Sequence, residues 1–375
     1  MRIILPVLFF VLLINVSCKT EAEKTDNRNT VVDSTISLFQ QNLYKNHLDS
    51  LFAKHGFNGS IAVFQDGREI YSRDNGFGDF SEKTALDSTT VFAIGSLSKQ
   101  FTAVMIFQQM EAGKLNIDDP ASKYLTELQQ KQFEKITIRH LLHHTSGIAD
   151  FGPNLNSEPG GKFSYSNKGF RYLGKIIEKA SGKSYDQNAM ELFQKAGMKN
   201  SYTPSTFTGG NFGSAYTGNS QQQHEVANMP LRLAVDEISV PAGGLLSTVK
   251  DLIIWNDALY SGKIINDNSL KIFREKVAER KHYILGTVGY GAGIMMNLSA
   301  PEAYFHSGYV KGSPSLNIYY PATKTSVIIL SNIADESKGK EEFFQPHAEV
   351  KMITDAVENS VAAVRKTMIK PTVPQ

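Results

Sequence analysis

Residues 92–99 read Phe92-Ala93-Ile94-Gly95-Ser96-Leu97-Ser98-Lys99 and lead from an apolar run into a long amphipathic pattern. The apolar spacing predicts a helix over 96–112, which Gly113 ends. Ser96 then opens the helix, and Lys99 lies one turn later on the same face. A serine becomes a nucleophile when a neighbouring base takes its proton, and a lysine can be that base when its pKa is lowered. The stretch therefore predicts a serine hydroxyl beside an amine.

Strand patterns lie near both ends of the chain. Two runs over 59–63 and 69–72 flank Asp66-Gly67, and an Asp-Gly pair favours a hairpin because such a turn needs positive φ. Further β-type runs lie over 303–305, 315–320 and 326–331. Helices are predicted near 39–51, 138–143, 167–180, 185–195, 248–260 and 349–368.

These elements predict an α/β fold of the α+β type. One antiparallel β-sheet, built from both ends of the chain, would be flanked by terminal helices and would carry an inserted all-helical lobe over about 118–273. A cleft between the sheet and the lobe is the expected place for a binding site.

The composition excludes several classes of protein. The chain has 375 residues, 41% hydrophobic and 20% charged, which allows a sizeable core and excludes wholesale disorder. A net charge of +2 gives no basic excess for nucleic-acid binding. The single cysteine excludes an intrachain disulfide and a Cys-rich metal site. We expect no cofactor, and the composition leaves the oligomeric state open.

The first residues are typical of an export signal. Arg2 precedes an apolar run from Ile3 to Val16, which is shorter than the roughly 20 apolar residues of a membrane span. Cys18 then resembles the acylated cysteine of a bacterial lipoprotein. We predict a signal peptide over 1–17, a lipid anchor at Cys18, a flexible tether over 18–34 and a folded domain over 35–375. The expected location is the cell envelope, in the periplasm or on the outer surface; the alternative is a plain secretory signal.

Two further motifs could complete a serine site. Tyr165-Ser166-Asn167 precedes a predicted helix, and a phenol there can relay the serine proton while an amide holds a substrate carbonyl. His306-Ser307-Gly308 lies on or beside a predicted strand, where an imidazole can exchange protons and the strand edge can offer an N–H to an oxyanion. Each motif is weak alone, since Ser-x-x-Lys also occurs at Ser247 and Ser337. The set gains weight because each motif stands in the element that its chemistry needs.

The set resembles the serine β-lactamase and penicillin-binding protein superfamily. Within it, the chain is similar to the class C β-lactamase-related group of D-alanyl-D-alanine carboxypeptidases, D-aminopeptidases and esterases. The resemblance covers roughly residues 40–335. It rests on Ile94-Gly95-Ser96-Leu97-Ser98-Lys99, Leu141-Leu142-His143-His144-Thr145-Ser146-Gly147-Ile148, Tyr165-Ser166-Asn167, Ala242-Gly243-Gly244-Leu245 and His306-Ser307-Gly308.

This resemblance implies a role for each motif residue. Ser96 would be the acylated nucleophile, and the other catalytic groups would be Lys99, Tyr165 and His306. The substrate-binding residues would be Asn167, Ser307 and Gly308, and the backbone N–H groups of Ser96 and Tyr309 would form the oxyanion hole. The implied activity is an exported serine hydrolase that acts on an amide or ester, such as a D-amino-acid peptide or a small ester, through an acyl-enzyme.

One residue departs from the pattern of efficient β-lactamases. His306 stands where they carry a lysine, and a histidine with an ordinary pKa near 6.5 is mostly neutral at pH 7. The departure favours peptidase or esterase activity. Two alternatives stay open. One is a penicillin-binding sensor that is acylated without turnover. The other is a zinc hydrolase in which two of the clustered histidines His140, His143 and His144, with Asp150 nearby, share a helix face and bind the metal.

Overall fold

The structure is a computed structural model that describes residues 21–227, 229–235 and 239–371. The helices in these ranges are α1 (Glu21–His55), α2 (Ser98–Glu111), α3 (Ile138–Leu142), α4 (Asn167–Ser181), α5 (Tyr185–Ala196), α6 (Arg232–Val235), α7 (Val240–Gly243), α8 (Val249–Tyr260), α9 (Asp267–Phe273), α10 (Lys340–Phe343) and α11 (Gln345–Met368). The strands are β1 (Gly59–Gln65), β2 (Arg68–Asn75), β3 (Phe77–Asp79), β4 (Thr84–Ala85), β5 (Phe92–Ala93), β6 (Tyr216–Gly218), β7 (Gln223–Glu225), β8 (Leu246–Ser247), β9 (Ala278–His282), β10 (Gly286–Tyr290), β11 (Met295–Met296), β12 (Tyr304–Val310), β13 (Ser313–Tyr320), β14 (Thr325–Ser331) and β15 (Ile333–Ala334).

An antiparallel sheet from both ends of the chain forms the frame. Its eight strands run in the order β2-β1-β14-β13-β12-β11-β10-β9. The predicted hairpin joins β1 to β2, with φ of 48° at Asp66 and 78° at Gly67. Because β1 pairs with β14, the N-terminal hairpin and the C-terminal strands share one sheet, which confirms the predicted α+β architecture.

Each face of the sheet is covered by helices. Leu316 and Ile318 on β13 share a buried cluster with Tyr44 of α1 and Val357 of α11. Between them, Asn317 faces the opposite side and exchanges hydrogen bonds with Asn256 of α8 at 2.7 and 3.0 Å. The two-residue period of a strand thus places the terminal helices on one face and the inserted lobe on the other.

The N-terminal helix begins earlier than the sequence predicts. Residues 21–34, expected within the flexible tether over 18–34, are the first turns of α1. Their polar side chains bond to the end of the C-terminal helix: Arg28 donates to the Met368 carbonyl at 2.9 Å, and Arg365 pairs with Asp33 at 2.9 Å. These surface contacts with α11 therefore stabilise the polar segment 21–34 as a helix. The predicted signal peptide and Cys18 lie outside the described residues.

The inserted lobe and the sheet edge also differ in detail from expectation. The lobe predicted as all-helical over 118–273 holds α3 to α9, but also the short strands β6, β7 and β8. Strands β9 to β11 have no counterpart among the predicted strands. Charged residues interrupt the apolar alternation of β9 and glycines that of β10, and β11 has only two residues. No helix within the described ranges has the length and apolarity required to cross a bilayer.

Candidate active site

The predicted nucleophile lies on a tight turn pressed against the sheet. Ser96 is in the 3₁₀ turn Gly95–Leu97, directly before α2. Gly95 has a φ of 53°, and a Cβ there would lie 2.5 Å from the Tyr309 nitrogen on β12. A Cβ on Gly308 would lie 2.2 Å from the Ile94 carbonyl oxygen. Both glycines are therefore needed to bring the turn this close to β12.

Two of the predicted residues bond to the Ser96 hydroxyl. Its Oγ accepts hydrogen bonds from Lys99 Nζ at 3.1 Å and from the Tyr165 hydroxyl at 2.7 Å. Ser96 and Tyr165 are half-buried, whereas Lys99 is fully buried. A substrate can reach the hydroxyl while the amine behind it stays dry.

Lys99 has the environment of a base. Burial lowers the pKa of its amine below the ordinary value of 10.5, and the nearby Arg280 charge adds to this, although Tyr165 acts in the opposite direction. Its Nζ also donates to Asn167 Oδ1 at 2.8 Å and to the Ala242 carbonyl at 2.6 Å. The Ala242-Gly243-Gly244-Leu245 motif thus supplies one of the hydrogen-bond acceptors around the Lys99 amine.

Asp150 organises the residues around Tyr165. Its carboxylate accepts from Asn167 Nδ2 at 3.2 Å, from Ser166 Oγ at 3.1 Å and from the Lys168 backbone N–H at 3.0 Å. These bonds turn the Asn167 amide so that its oxygen faces Lys99, leaving one Nδ2 hydrogen for a substrate carbonyl. The sequence places Asp150 only beside the histidine cluster, because its position carries no signal of a contact with Asn167.

The backbone offers an oxyanion site between the turn and β12. Tyr309 lies opposite Pro314 in the β12–β13 ladder. Proline has no N–H, so this pair fits the non-hydrogen-bonded kind, which directs the Tyr309 N–H to the other edge of β12. The Ser96 turn lies against this edge, and the Cβ position of Gly308 is 3.1 Å from the Ser96 nitrogen. The two predicted N–H donors are therefore neighbours.

His306 lies behind the site, and both of its ring nitrogens are occupied. Nδ1 lies 2.6 Å from the Ser307 carbonyl oxygen, which can only accept, so Nδ1 carries the proton. Nε2 then accepts from the Tyr290 hydroxyl at 3.0 Å. Burial first, then the charges of Arg280 and Lys99, lower the pKa of His306 well below 6.5. The predicted proton exchange at His306 thus lacks a free nitrogen, and the side chain is a neutral support.

Ser307 takes part in a hydrogen bond that the sequence does not indicate. His282 Nδ1 lies 3.2 and 3.3 Å from the backbone N–H groups of Ile284 and Leu285, so it is the acceptor nitrogen. His282 Nε2 therefore donates to Ser307 Oγ at 2.9 Å. The arrangement is the reverse of a serine–histidine base pair, and it leaves the Ser307 hydroxyl hydrogen available to a ligand.

Arg280 brings a permanent cation to the site. Its guanidinium carbon lies 4.5 Å from the centre of the Tyr165 ring, and its Nη1 lies 3.9 Å from Met295 Sδ. The half-buried side chain reaches the site from β9. Arg280 is absent from the predicted site residues because the stretch Ala278–His282 was not predicted to be a strand. Strand alternation there places Arg280 and His282 on one face.

The three clustered histidines have separate structural contacts. His140 Nδ1 accepts from the Thr137 N–H in a capping box, His143 Nδ1 bonds to the Arg139 carbonyl at 2.7 Å, and His144 Nδ1 accepts from the Ser166 N–H at 3.1 Å. Across the described residues, no group of three or more His, Cys, Asp or Glu side chains is arranged to hold a metal ion. The described residues therefore offer no cluster of ligands for the zinc site of the alternative hydrolase.

Comparison with known proteins now decides the family. The β-lactamase family profile matches residues 44–347, a range that includes all three motifs. The chain belongs to the β-lactamase family. This confirms the superfamily predicted from the motifs.

Relatives that resemble the chain include a penicillin-binding protein. The chain is 29% identical over 337 residues to penicillin-binding protein 4* of Bacillus subtilis, covering 78% of this chain and 73% of that protein. It is 23% identical to protein flp of Staphylococcus aureus strain MW2, covering 80% of this chain and 63% of that protein. The chain thus spans less than two thirds of the Staphylococcus relative.

Solved structures show the same fold. A penicillin-binding protein from Bacillus halodurans has a TM-score of 0.69 at 21% identity, covering 82% of this chain and 99% of that one. The D-amino acid amidase from Ochrobactrum anthropi SV3 has a TM-score of 0.69 at 20% identity, covering 86% and 99%. These matches confirm the predicted fold class.

Proposed function

We propose that the chain is an exported serine hydrolase that cleaves an amide or ester through an acyl-enzyme on Ser96. The observation that carries this proposal is the hydroxyl of Ser96, which lies within hydrogen-bond distance of both Lys99 Nζ and the Tyr165 hydroxyl. The Ser96 side chain is also partly exposed. A buried amine and a phenol beside one accessible hydroxyl are what proton removal from a serine requires.

Acylation would proceed in two stages. The Ser96 proton passes to the Lys99–Tyr165 pair as Oγ forms a bond to the substrate carbonyl carbon. The resulting oxyanion lies between the N–H groups of Ser96 and Tyr309. Collapse of this intermediate breaks the bond to the amine or alcohol, which leaves with the proton. Water then attacks the acyl-enzyme in the same way, releasing a carboxylic acid and restoring Ser96.

We infer a substrate with a carboxylate close to the bond that is cleaved. Arg280 is a half-buried cation at the site, and Ser307 has a hydroxyl hydrogen to offer. A guanidinium and a hydroxyl can bind a carboxylate, while Asn167 can donate to a substrate amide. A short peptide that ends in a D-amino acid has these groups. The name of the relative penicillin-binding protein 4* is consistent with this class.

A sensor that keeps its acyl group is the second candidate. The buried, fully bonded His306 leaves water activation to the same Lys99–Tyr165 pair that performs acylation. If that pair activates water poorly, the protein would be labelled by penicillin and release it slowly. Turnover measurements separate this candidate from the hydrolase.

The test compares Ser96→Ala with Ser337→Ala, an exposed serine that also precedes a lysine by three residues. Each protein is assayed with a p-nitrophenyl ester, a D-Ala-D-Ala peptide and nitrocefin. We expect Ser96→Ala to lose at least about 1,000-fold in kcat, because the remaining groups cannot form the acyl-enzyme, while Ser337→Ala keeps wild-type rates. Full activity in Ser96→Ala would refute the proposal, and stable penicillin labelling without turnover would favour the sensor.

We also propose export and lipid anchoring at Cys18. The support is the sequence pattern of Arg2, a short apolar run and a following cysteine. In cells fed a labelled fatty acid, wild-type protein should carry the label and Cys18→Ala should not. Equal labelling of the two proteins would exclude Cys18 as the anchor.

A further inference from the structure

His144 has an unusual set of contacts around the catalytic phenol. Its Nδ1 accepts from the Ser166 N–H at 3.1 Å, and its carbonyl accepts from the Ser164 N–H at 2.7 Å. Its ring lies 4.3 Å from the Tyr165 ring, centre to centre, at 35°. One residue therefore contacts Tyr165 itself and the backbone on both sides of it.

The backbone and ring of His144 are held in an unfavourable state. Its φ is 56°, in the left-handed region that side chains other than Gly, Asn and Asp rarely adopt. Its Nε2 is buried, with no hydrogen-bond partner among the described residues. Since Nδ1 accepts, Nε2 carries the ring proton, and an unpaired buried N–H costs folding free energy. A left-handed backbone and an unpaired N–H both disfavour histidine at this position. Such costs beside a reactive group indicate that the histidine has a functional role.

The ring is also neutral and tightly enclosed. It is 1% exposed and lies against Phe163, Phe170 and Tyr290 as well as Tyr165. Burial lowers the pKa of His144 well below 6.5, and the Lys99 and Arg280 charges add to this effect. A neutral ring that is already bonded through Nδ1 does not exchange protons with Ser96. Its contribution is the position of the phenol.

We propose that His144 is a positioning residue for acylation, which fixes the Tyr165 phenol against Ser96 through the Ser164 and Ser166 backbone. The proposal rests on the proposed function, in which Tyr165 and Lys99 remove the Ser96 proton. Displacement of a reacting group by about 1 Å can slow a reaction about 100-fold. Loss of the Nδ1 acceptor should therefore lower the rate of acylation with little effect on substrate binding.

The test uses two substitutions that both tolerate the left-handed backbone. His144→Asn places an acceptor oxygen where Nδ1 stands, and His144→Gly removes both acceptor and ring. Acylation is measured as the burst of p-nitrophenol from p-nitrophenyl acetate. We expect His144→Gly to slow the burst by about 10- to 100-fold with KM nearly unchanged, and His144→Asn to stay within about threefold of wild type because it keeps the acceptor.

A double-mutant cycle with Tyr165→Phe distinguishes positioning from a general structural role. If His144 acts through the phenol, His144→Gly should have little further effect once the hydroxyl is gone, because the two losses are not additive. If His144→Gly slows the burst as much in the Tyr165→Phe background as in the wild-type protein, the inference is overturned. A wild-type burst rate in the His144→Gly single variant would also overturn it. His144→Phe, which fills the space without an acceptor, replaces the glycine variant in the cycle if that variant does not fold.

The same assay separates this inference from the proposed function. Release of p-nitrophenol at the same rate by wild-type protein and Ser96→Ala would refute both. A wild-type burst that disappears in Ser96→Ala but is unaffected by every His144 variant would refute the role of His144 alone.

Discussion

At the scale of single residues, one carboxylate decides how the Asn167 amide is turned. Asp150 accepts from Asn167 Nδ2, so Asn167 Oδ1 is left to accept from Lys99 Nζ. Asp150 also accepts from the Ser166 hydroxyl and the Lys168 N–H, on the residues that follow Tyr165. The position of the amine therefore depends on a residue outside the three motifs.

We predict that Asp150→Asn lowers the rate constant of acylation about 10- to 100-fold, because an amide at this position can turn a donor toward Asn167 and release its orientation. The burst assay with a p-nitrophenyl ester measures this rate. Asp118→Asn is the matched control, since Asp118 pairs with Arg139 at the surface. Equal burst rates in the two variants would show that Asp150 does not orient Asn167.

At the scale of elements, the contact between the Ser96 turn and β12 creates the oxyanion site. Gly95 combines a φ of 53° with a Cβ position 2.5 Å from the Tyr309 nitrogen. Gly113, at the end of α2, has a φ of 69° but no atom within 4 Å of its Cβ position. Both glycines therefore have the positive φ that side chains disfavour. Only Gly95 also lies too close to a neighbouring strand to carry a Cβ.

Gly95→Ala should therefore push the turn from β12 and lower kcat by about 100-fold or more, the cost of losing an oxyanion donor. Gly113→Ala should cost about 1 kcal/mol of stability for its strained backbone and leave kcat unchanged. Steady-state kinetics and thermal unfolding of both variants measure these effects. Unchanged kcat in folded Gly95→Ala would contradict the proposed oxyanion site.

Elements with strong local patterns were predictable, and elements defined by pairing were not. Helices over 167–181 and 185–196 end within a residue of prediction, since Ser166 and Ser184 cap their starts and Gly182 and Gly197 follow their ends. Strand β9 reads Ala278-Glu279-Arg280-Lys281-His282, which has no apolar face, and becomes a strand by pairing with β10. Arg280 was missed with it.

In the candidate site too, contacts within one element could be predicted from the sequence, and contacts between distant elements could not. The residues on one helical turn, Ser96 and Lys99, could be placed together from spacing alone. The meeting of Tyr165 with Ser96 across 69 positions came from the family resemblance. The orientation of His306 could not be predicted, because strand pattern gives the face of a side chain but not the partners of its ring nitrogens.

At the scale of the whole molecule, buried neutral histidines couple stability to pH. Burial lowers the pKa of His143 to about 4 and the pKa values of His282 and His347 to about 3. The unfolded chain binds protons at these residues below pH 6.5, whereas the folded protein does not. Stability from these groups is therefore constant above pH 6.5 and falls as the pH drops toward 4.

We predict that the free energy of unfolding decreases by about 1.4 kcal/mol per pH unit for each such histidine that titrates only when unfolded. Urea unfolding at pH 7.5, 6 and 5 measures this slope above the range where carboxylates titrate. His347→Gln should reduce the slope by the contribution of one histidine. His47→Gln, at an exposed position, should leave the slope unchanged. A free energy of unfolding that stays constant from pH 6.5 to pH 5 would contradict the burial of neutral rings.

The position of the acyl group on the protein shows whether Ser96 is the nucleophile. The protein is incubated with penicillin, its intact mass is recorded at short times, and the adduct is mapped by digestion and fragmentation. We predict one penicilloyl group per chain, located on Ser96 and missing from Ser96→Ala. An adduct on another residue, or one that persists in Ser96→Ala, would exclude Ser96 as the nucleophile.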